Sequence, residues 1–208
     1  DDCNVAELAI GDELTNEFEI LRDDLAKTFY EPASTMADYR FGDSIVAVDE
    51  RPGGAAVTFA SGRQESFDCV IVAEGVGSST REMLFPGEND PKFLDMTIAY
   101  FTIPAGPTDS RQARWYPAKG GISILVRPDR EGQCRVFLMV QGRSQGRDRL
   151  PRDQQMAFMR ERFERAGWEA RRILEGMERS EDFYFDELRQ ARLPRWSQGR
   201  VVLTGDAA

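Results

Sequence analysis

The chain has 208 residues, of which 41 % are hydrophobic and 30 % are charged, a composition typical of one or two folded domains. Its formal net charge of −9 argues against a nucleic-acid partner, which would require a basic face to neutralise phosphates. The absence of histidine excludes Ser-His-Asp and Cys-His catalytic arrangements, and no apolar run is long enough to span a membrane.

The beginning of the chain predicts a short strand followed by a helix. Val5–Ile10 is the strand, and apolar residues then recur every four positions from Leu21 to Phe29 until Pro32, which should end the helix. Arg22 lies where this helix begins. An arginine there can reach a phosphate or a ring edge of a ligand, or it can simply pair with a neighbouring carboxylate on the surface.

Four strands are predicted next, separated by turns rich in glycine and proline. The last of them is a nearly continuous apolar run, and this predicts a strand buried on both faces, as in a parallel sheet. The four predicted strands are Tyr39–Phe41, Ser44–Asp49, Ala55–Ala60 and Phe67–Ala73.

A glycine-containing turn that could bind a ligand follows directly after the last of these strands. In the segment from Glu74 to Arg81, Gly75 and a second glycine permit a tight turn, and Ser78 or the serine after it would cap a helix. The segment does not match the Rossmann fingerprint, because Thr80 occupies the place of the third glycine. An ordinary strand-to-helix turn therefore remains an alternative interpretation.

From Met96 onward the pattern changes to that of an antiparallel sheet with helices. Four strands in a meander are predicted first, then two helices and a last strand. The arginines between Arg143 and Arg172 alternate with glutamates, which indicates a solvated helix face. The predicted strands are Thr97–Ile103, Ala113–Tyr116, Ile122–Val126, Arg135–Val140 and Phe183–Arg192, and the helices are Arg152–Ala166 and Trp168–Met177.

The chain closes on a buried strand, Arg200–Thr204, that runs into Gly205 and Asp206. In open α/β folds, ligands bind just beyond the C-terminal ends of such strands. Asp206 can accept a hydrogen bond from a ligand hydroxyl there, or it can serve only as the cap of a following helix. The parallel-type pattern is thus interrupted by the antiparallel one and then resumes, which predicts a mixed α/β (α+β) fold.

The order and spacing of these three segments resemble the class A flavoprotein aromatic hydroxylases, the p-hydroxybenzoate hydroxylase-like family that includes tetracycline-inactivating monooxygenases. The segment of Arg22 is similar to the family's helix whose arginine lies against FAD. Glu74 and Gly75, with Arg81, resemble its central Asp-Gly motif, which faces FAD and the nicotinamide dinucleotide. Gly205 and Asp206 resemble its Gly-Asp motif, whose Asp holds the ribityl chain.

The resemblance implies part of a Rossmann-like FAD- and NAD(P)-binding domain interleaved with an antiparallel-sheet substrate domain. Residues 1–15 would be a strand of the substrate domain, 16–94 part of the FAD-binding domain, 95–192 the substrate domain and 193–208 a return to the FAD-binding domain. Position 74 departs from the family, because it is Glu instead of Asp. The family's N-terminal glycine-rich loop does not precede Asp1, so we expect an internal fragment that is inactive alone.

The implied activity is hydroxylation of an aromatic or polyketide-like small molecule, with NAD(P)H and O2, through a flavin hydroperoxide. FAD brings this reactivity, so the protein supplies position, desolvation and electrostatics. Tyr100, Arg114 and Tyr116 are the candidate substrate contacts, whereas Phe101, Trp115, Phe137 and Met139 are expected to be core. We expect no nucleic-acid or membrane partner. The three widely spaced cysteines favour the cytoplasm.

Two other functions fit the same residues. One is a flavin-dependent reductase of the same fold, which oxygen-dependent product formation would distinguish from a monooxygenase. The other is a non-catalytic domain that holds a small hydrophobic ligand on its antiparallel sheet. A flavin-dependent halogenase is disfavoured, because Trp115, Trp168 and Trp196 are too far apart for the Trp-x-Trp-x-x-Pro signature.

Overall fold

The computed structural model describes residue 20 and residues 22–88, 90–110, 112–129 and 132–208. These residues form four α-helices and eleven β-strands, so the prediction of a mixed α/β fold is confirmed. The strands make three sheets, and the buried apolar residues form two separate cores. The predicted strand Val5–Ile10 and the first predicted segment, residues 1–15, lie outside the described residues.

The smaller core lies among two three-stranded sheets and a short helix. The first sheet is an antiparallel meander of β1 to β3, and in the second, β11 pairs with β4 in parallel and with β10 antiparallel. Ala55, Val57, Val201 and Phe85 are buried at its centre. The elements are β1 (Ile45–Arg51), β2 (Gly54–Phe59), β3 (Gln64–Phe67), β4 (Val70–Val72), α2 (Ser79–Leu84), β10 (Ser197–Gln198) and β11 (Val201–Leu203).

The larger core lies between one face of a five-stranded antiparallel sheet and two helices. The strand order is β6-β7-β8-β5-β9. Alternate residues on the three central strands, β7, β8 and β5, are buried, because one face of the sheet packs on the helices and the other does not. The elements are β5 (Lys92–Pro104), β6 (Arg114–Ala118), β7 (Ile122–Pro128), β8 (Gln133–Gln141), α3 (Arg152–Phe163), α4 (Ala170–Arg179) and β9 (Tyr184–Gln190).

Helix α1 (Arg22–Ala33) corrects one expectation, because Pro32 lies inside its last turn and does not end it at the preceding residue. A proline removes only its own N–H donor, and the neighbouring bond from Ser34 N to the carbonyl of Tyr30 is kept at 2.8 Å. The predicted strand Tyr39–Phe41 was also wrong. Its aromatic side chains pack on each other and on α1, with the rings of Tyr30 and Tyr39 4.7 Å apart.

Strand β4 corrects another expectation, because only one of its faces is buried. Val70 and Val72 belong to the smaller core, whereas the side chain of Ile71 between them is 68 % exposed. The run from Phe67 to Ala73 contains only this three-residue strand, and Phe67 itself ends a separate strand, β3. The described part of the chain therefore buries one face of the parallel pair and leaves the other open.

Candidate cofactor and substrate site

The parallel pairing of β4 with β11 brings two distant loops to one edge of their sheet. Val70 pairs with Val201 and Val72 with Leu203, and the N–H of Thr204 donates to the carbonyl of Val72 at 2.9 Å. Both strands therefore end at the same place, and the segments that follow them are neighbours. Such an edge is where α/β folds bind their ligands.

Each of the two loops contains a glycine in the left-handed region of backbone conformation. The φ angle is +78° at Gly75 and +60° at Gly205. A side chain is disfavoured at such angles. A Cβ built at either position would meet no heavy atom within 4 Å beyond its chain neighbours. The two turns thus leave open space beside the backbone, where a ligand can approach closely.

Glu74 folds back onto the start of helix α2. Its carboxylate accepts a hydrogen bond from Ser78 Oγ at 2.7 Å, from Thr80 Oγ1 at 2.7 Å and from the N–H of Thr80 at 3.0 Å. Burial alone would raise the pKa of Glu74, but these hydrogen bonds hold it below its usual value. Ser78 caps the helix, as predicted, by accepting from the N–H of Arg81 at 3.1 Å.

Arg81 joins the two loops from inside the protein, where it is 1 % exposed. Its guanidinium donates to the carbonyl of Ala207 at 3.1 Å and to that of Asp206 at 3.4 Å. It also donates to the carbonyls of Gly75, at 3.5 Å, and Val76. A planar guanidinium with five donors suits this multiple contact better than an ammonium group. The side chain thus fixes the relative position of both loops.

Asp206 is exposed in a short 3-10 turn, Gly205–Ala207, and it does not cap that turn, because Thr204 occupies the cap position.

The structure brings together five of the six predicted cofactor contacts, namely Glu74, Gly75, Arg81, Gly205 and Asp206. The sixth, Arg22, is exposed at the first residue of α1 and acts electrostatically on Tyr184 in the larger sheet. The pKa of Tyr184 is raised by burial and by the charge of Asp186, and the charge of Arg22 opposes this rise.

The three predicted substrate contacts do not share one face of the larger sheet. Tyr100 is half-buried on the face that the helices leave open. Arg114 and Tyr116 point to the helix side, where Tyr116 packs on the core and its hydroxyl donates to the carbonyl of Ala166 at 2.9 Å. Strand periodicity predicts which residues share a face, but it cannot say which face is open.

Arg114 belongs to an ion-pair cluster between β6 and helix α4. It contacts the carboxylates of Asp109 and Glu169, and Arg172 contacts the same two groups, at 2.9 Å and 2.5 Å. The side chain of Asp109 is only 1 % exposed. Burial would raise the pKa of Asp109, but hydrogen bonds, with the charge of Arg172, hold it below its usual value. The four charges stabilise the contact between strand and helix.

The open face carries a continuous row of apolar and aromatic side chains, one from each strand. The strand register pairs the members in sequence across the sheet. At the centre of the row, the rings of Tyr100 and Phe137 pack against each other with their centroids 4.7 Å apart. We call this set the open-face row, and in sheet order it comprises Trp115, Leu125, Phe137, Tyr100 and Tyr184.

The open-face row corrects the expectation that four apolar residues are plain core. Phe101 is fully buried against the helices, as expected. Trp115, however, is 69 % exposed, and Phe137 and Met139 lie half-buried on the open face. Leu125 and Tyr184 were not predicted as contacts. Only the pairing register reveals them, and a single sequence does not contain it.

An open cavity of about 460 Å³ adjoins the Glu74 loop. It lies between that loop and the sheet of β1 and β2. Its walls mix hydroxyl, charged and apolar groups. The lining residues are Arg40, Asp43, Ser44, Ile45, Phe59, Glu74, Gly77 and Ser79.

Comparison with known proteins shows that the chain is similar in sequence and in structure to proteins named as monooxygenases and to a tetracycline destructase. The chain is 35 % identical over 208 residues to Monooxygenase CTB7 of Cercospora beticola, covering 93 % of this chain and 50 % of that protein. It is 29 % identical over 202 residues to FAD-dependent monooxygenase asL4 of Sarocladium schorii, covering 93 % and 47 %. The solved structure of tetracycline destructase Tet(51) superposes with a TM-score of 0.69 at 29 % identity, covering 79 % and 45 %. No family model matches.

These likenesses confirm the resemblance to flavin-dependent monooxygenases that the sequence motifs indicate. The chain spans about half the length of the curated relatives it matches. No helix within the described residues is long and apolar enough to cross a membrane.

Proposed function

We propose that this chain forms one side of the FAD site and one wall of the substrate site of a flavin-dependent monooxygenase. The observation that carries the proposal is the meeting of the Gly75 and Gly205 loops at the end of two parallel strands, fixed by Arg81. The similarity to proteins named flavin- or FAD-dependent monooxygenases supports it.

The residues at this edge fit a dinucleotide-type cofactor. The space beside Gly75 and Gly205 admits close approach of a ligand to the backbone, and the exposed carboxylate of Asp206 is free to accept from a ribityl hydroxyl. FAD bound there would supply the redox chemistry: two electrons would come from NAD(P)H, one oxygen atom of O2 would go to the substrate and the other would leave as water. The residues proposed to hold the cofactors at this edge are Glu74, Gly75, Gly205 and Asp206, and Arg81 holds their backbone in place from inside the protein. Arg22, at the start of α1, is the sixth residue that the resemblance to the family assigns to the cofactor.

The chain's own residues then act by position and by exclusion of water. Arg81 fixes the relative position of the two loops, and Glu74 holds its own loop to the start of α2; neither contributes a reacting atom. The open face of the larger sheet offers an apolar surface for an aromatic or polyketide-like substrate, and Tyr100 lies at its centre. No side-chain nucleophile is needed, which agrees with a sequence that contains no histidine.

Location and partners follow from the same proposal. The two described cysteines are free thiols, which suits a reducing cytoplasm. The net charge of −9 argues against a nucleic-acid partner. Arg114 and Tyr116 are assigned a supporting role behind the substrate wall, because both face the helices.

The test is a flavin titration of the purified protein, followed by absorbance and flavin fluorescence. We expect FAD to bind, and we expect Asp206→Ala to weaken binding about 10- to 100-fold, the effect of losing a hydrogen bond to a charged group. Asp153→Ala, which removes an exposed carboxylate of α3 beside the larger sheet, is the control and should bind FAD as the wild type does. Equal FAD affinity in the wild type and Asp206→Ala would contradict the proposed site.

The reaction is tested separately in the full-length protein with NAD(P)H and 18O-labelled O2. Incorporation of one labelled atom into an aromatic substrate is the expected result. A reduced product that forms without oxygen would instead identify a flavin-dependent reductase. Failure of the full-length protein to bind FAD at all would refute the flavoenzyme proposal itself.

A further inference from the structure

The open-face row is longer than a single aromatic ring. Neighbouring strands in a sheet are about 4.8 Å apart, so five strands place Trp115 and Tyr184 roughly 19 Å from each other. Its polar atoms are the hydroxyls of Tyr100 and Tyr184 and the indole N–H of Trp115, and the Tyr184 hydroxyl donates to Asp186 at 3.1 Å. A one-ring molecule can contact only part of this surface, whereas several fused rings can lie along it.

The charged groups beside the row are already paired with each other. Arg135 donates to Thr102 Oγ1 and lies 3.6 Å from Asp129 and 3.5 Å from Asp182. Asp182 in turn accepts from the N–H of Thr102 at 2.9 Å. Because Arg135 lies between two carboxylates, its charge is compensated within the protein, and the row is the stacking surface that this face offers to a ligand. Ring stacking should therefore contribute more to recognition there than ion pairing does.

Trp115 lies at the end of the row opposite Tyr184, on β6, an outer strand of the five that the described residues form. It is the most exposed member at 69 %, whereas Tyr100 and Phe137 at the centre are half-buried. A ligand centred on Tyr100 and Phe137 contacts Trp115 only if it extends two strands along the sheet. An indole ring at that distance offers a large stacking surface to long ligands and none to short ones.

We propose that Trp115 is a specificity-determining residue that selects extended polycyclic aromatic substrates over single-ring ones. The proposal rests on the proposed function, because it takes the open face as the substrate wall. It goes further by naming the substrate shape and the residue that recognises it. Leu125 fills the position between Trp115 and Phe137, so the stacking surface is continuous.

The experiment measures dissociation constants by equilibrium dialysis on the flavin-loaded, full-length protein. The probes are salicylate with one ring, 1-naphthol with two fused rings and emodin with three. The variants are Trp115→Ala, Trp115→Phe and, as a matched control, Trp196→Phe, which changes an exposed tryptophan outside the larger sheet. Circular dichroism checks that each variant folds, and FAD occupancy is measured independently.

We expect affinity to rise with ring number in the wild type and in Trp196→Phe. In Trp115→Ala the preference for emodin over salicylate should fall about tenfold, the effect of losing one stacked aromatic contact, and Trp115→Phe should be intermediate. An unchanged preference in a folded Trp115→Ala protein would overturn the proposal. Equal affinity for all three probes in the wild type, or no binding of any, would overturn it as well. Normal FAD occupancy in those cases would leave the proposed function standing.

Discussion

Arg81 donates a hydrogen bond to the carbonyl of Ala207 at 3.1 Å, although 126 positions separate the two residues in the chain. The same guanidinium reaches the carbonyls of Gly75 and Val76 in the other loop. One buried side chain thus couples the two loops proposed to hold FAD. Its role is to position the backbone, because its donors are directed at protein carbonyls and it is 1 % exposed.

Replacement of Arg81 by lysine should therefore loosen both loops together. An ammonium group cannot reach carbonyls in both directions at once, so buried acceptors are left without donors. We expect Arg81→Lys to lower the free energy of unfolding by about 2–3 kcal/mol and to weaken FAD binding. Urea denaturation and flavin titration measure the two effects. Arg171→Lys, a side chain that is 94 % exposed, is the control and should change neither. Wild-type FAD affinity in Arg81→Lys would refute the positioning role.

Glu187 provides a prediction about acid stability. This fully buried carboxylate accepts from Ser144 Oγ and from the N–H groups of Gln145 at 3.0 Å, Gly146 at 3.2 Å and Arg147 at 3.2 Å. Burial alone would raise the pKa of Glu187, but these hydrogen bonds hold it below its usual value. Its contribution to stability is therefore complete above the unfolded pKa, near 4.3, and is lost as the pH falls through the lower folded pKa.

The variant Glu187→Gln should lose this contribution at all pH values. An amide offers one acceptor oxygen and sets an NH2 group against the backbone donors, so we expect a loss of about 1–3 kcal/mol at pH 7. In urea titrations the difference from wild type should shrink as the pH falls below the unfolded pKa of a glutamate and through the lower folded pKa of Glu187. Glu175→Gln, on the exposed face of α4, is the control. A difference that grows on acidification would contradict the assignment.

The sequence predicted the fold class and most strands, because their alternating apolar residues follow the two faces of a sheet. It also predicted that Gly75 and Gly205 lie in ligand-accessible turns. It did not predict that β4 exposes Ile71, since an apolar run does not reveal which neighbours cover it. The open-face row was missed for a related reason. Trp115 and Leu125 become neighbours only through the register of β6 with β7, which depends on the tertiary structure.

Gly176 in α4 packs so closely against Ile103 that helix propensity alone would give the wrong sign for the effect of replacing it by alanine. In an exposed helix, alanine in place of glycine stabilises by about 1 kcal/mol. In α4, however, a Cβ at position 176 would lie 2.4 Å from Cγ2 of Ile103, which is itself in the core. We expect Gly176→Ala to destabilise the protein by about 1–3 kcal/mol, as overpacking does.

A double-mutant cycle tests this contact. Ile103→Ala alone should destabilise by creating a cavity, and the added methyl of Gly176→Ala should then fit the vacated space. We therefore expect the double variant to lose less stability than the sum of the two single variants. Additive losses would show that the two residues do not touch.

The two described cysteines should differ sharply in reactivity. Burial, together with the hydrogen bond to Asp109, raises the pKa of the Cys134 thiol to about 12, whereas Cys69 is exposed. The reactive species is the thiolate, and at pH 8 Cys134 is almost entirely protonated as well as inaccessible. A Cys3→Ser background removes the third thiol, so that native protein should incorporate one iodoacetamide, at Cys69, and unfolded protein two. Mass spectrometry of the labelled peptides identifies the sites, and rapid labelling of Cys134 in the native protein would show that the cluster around Asp109 is open to solvent.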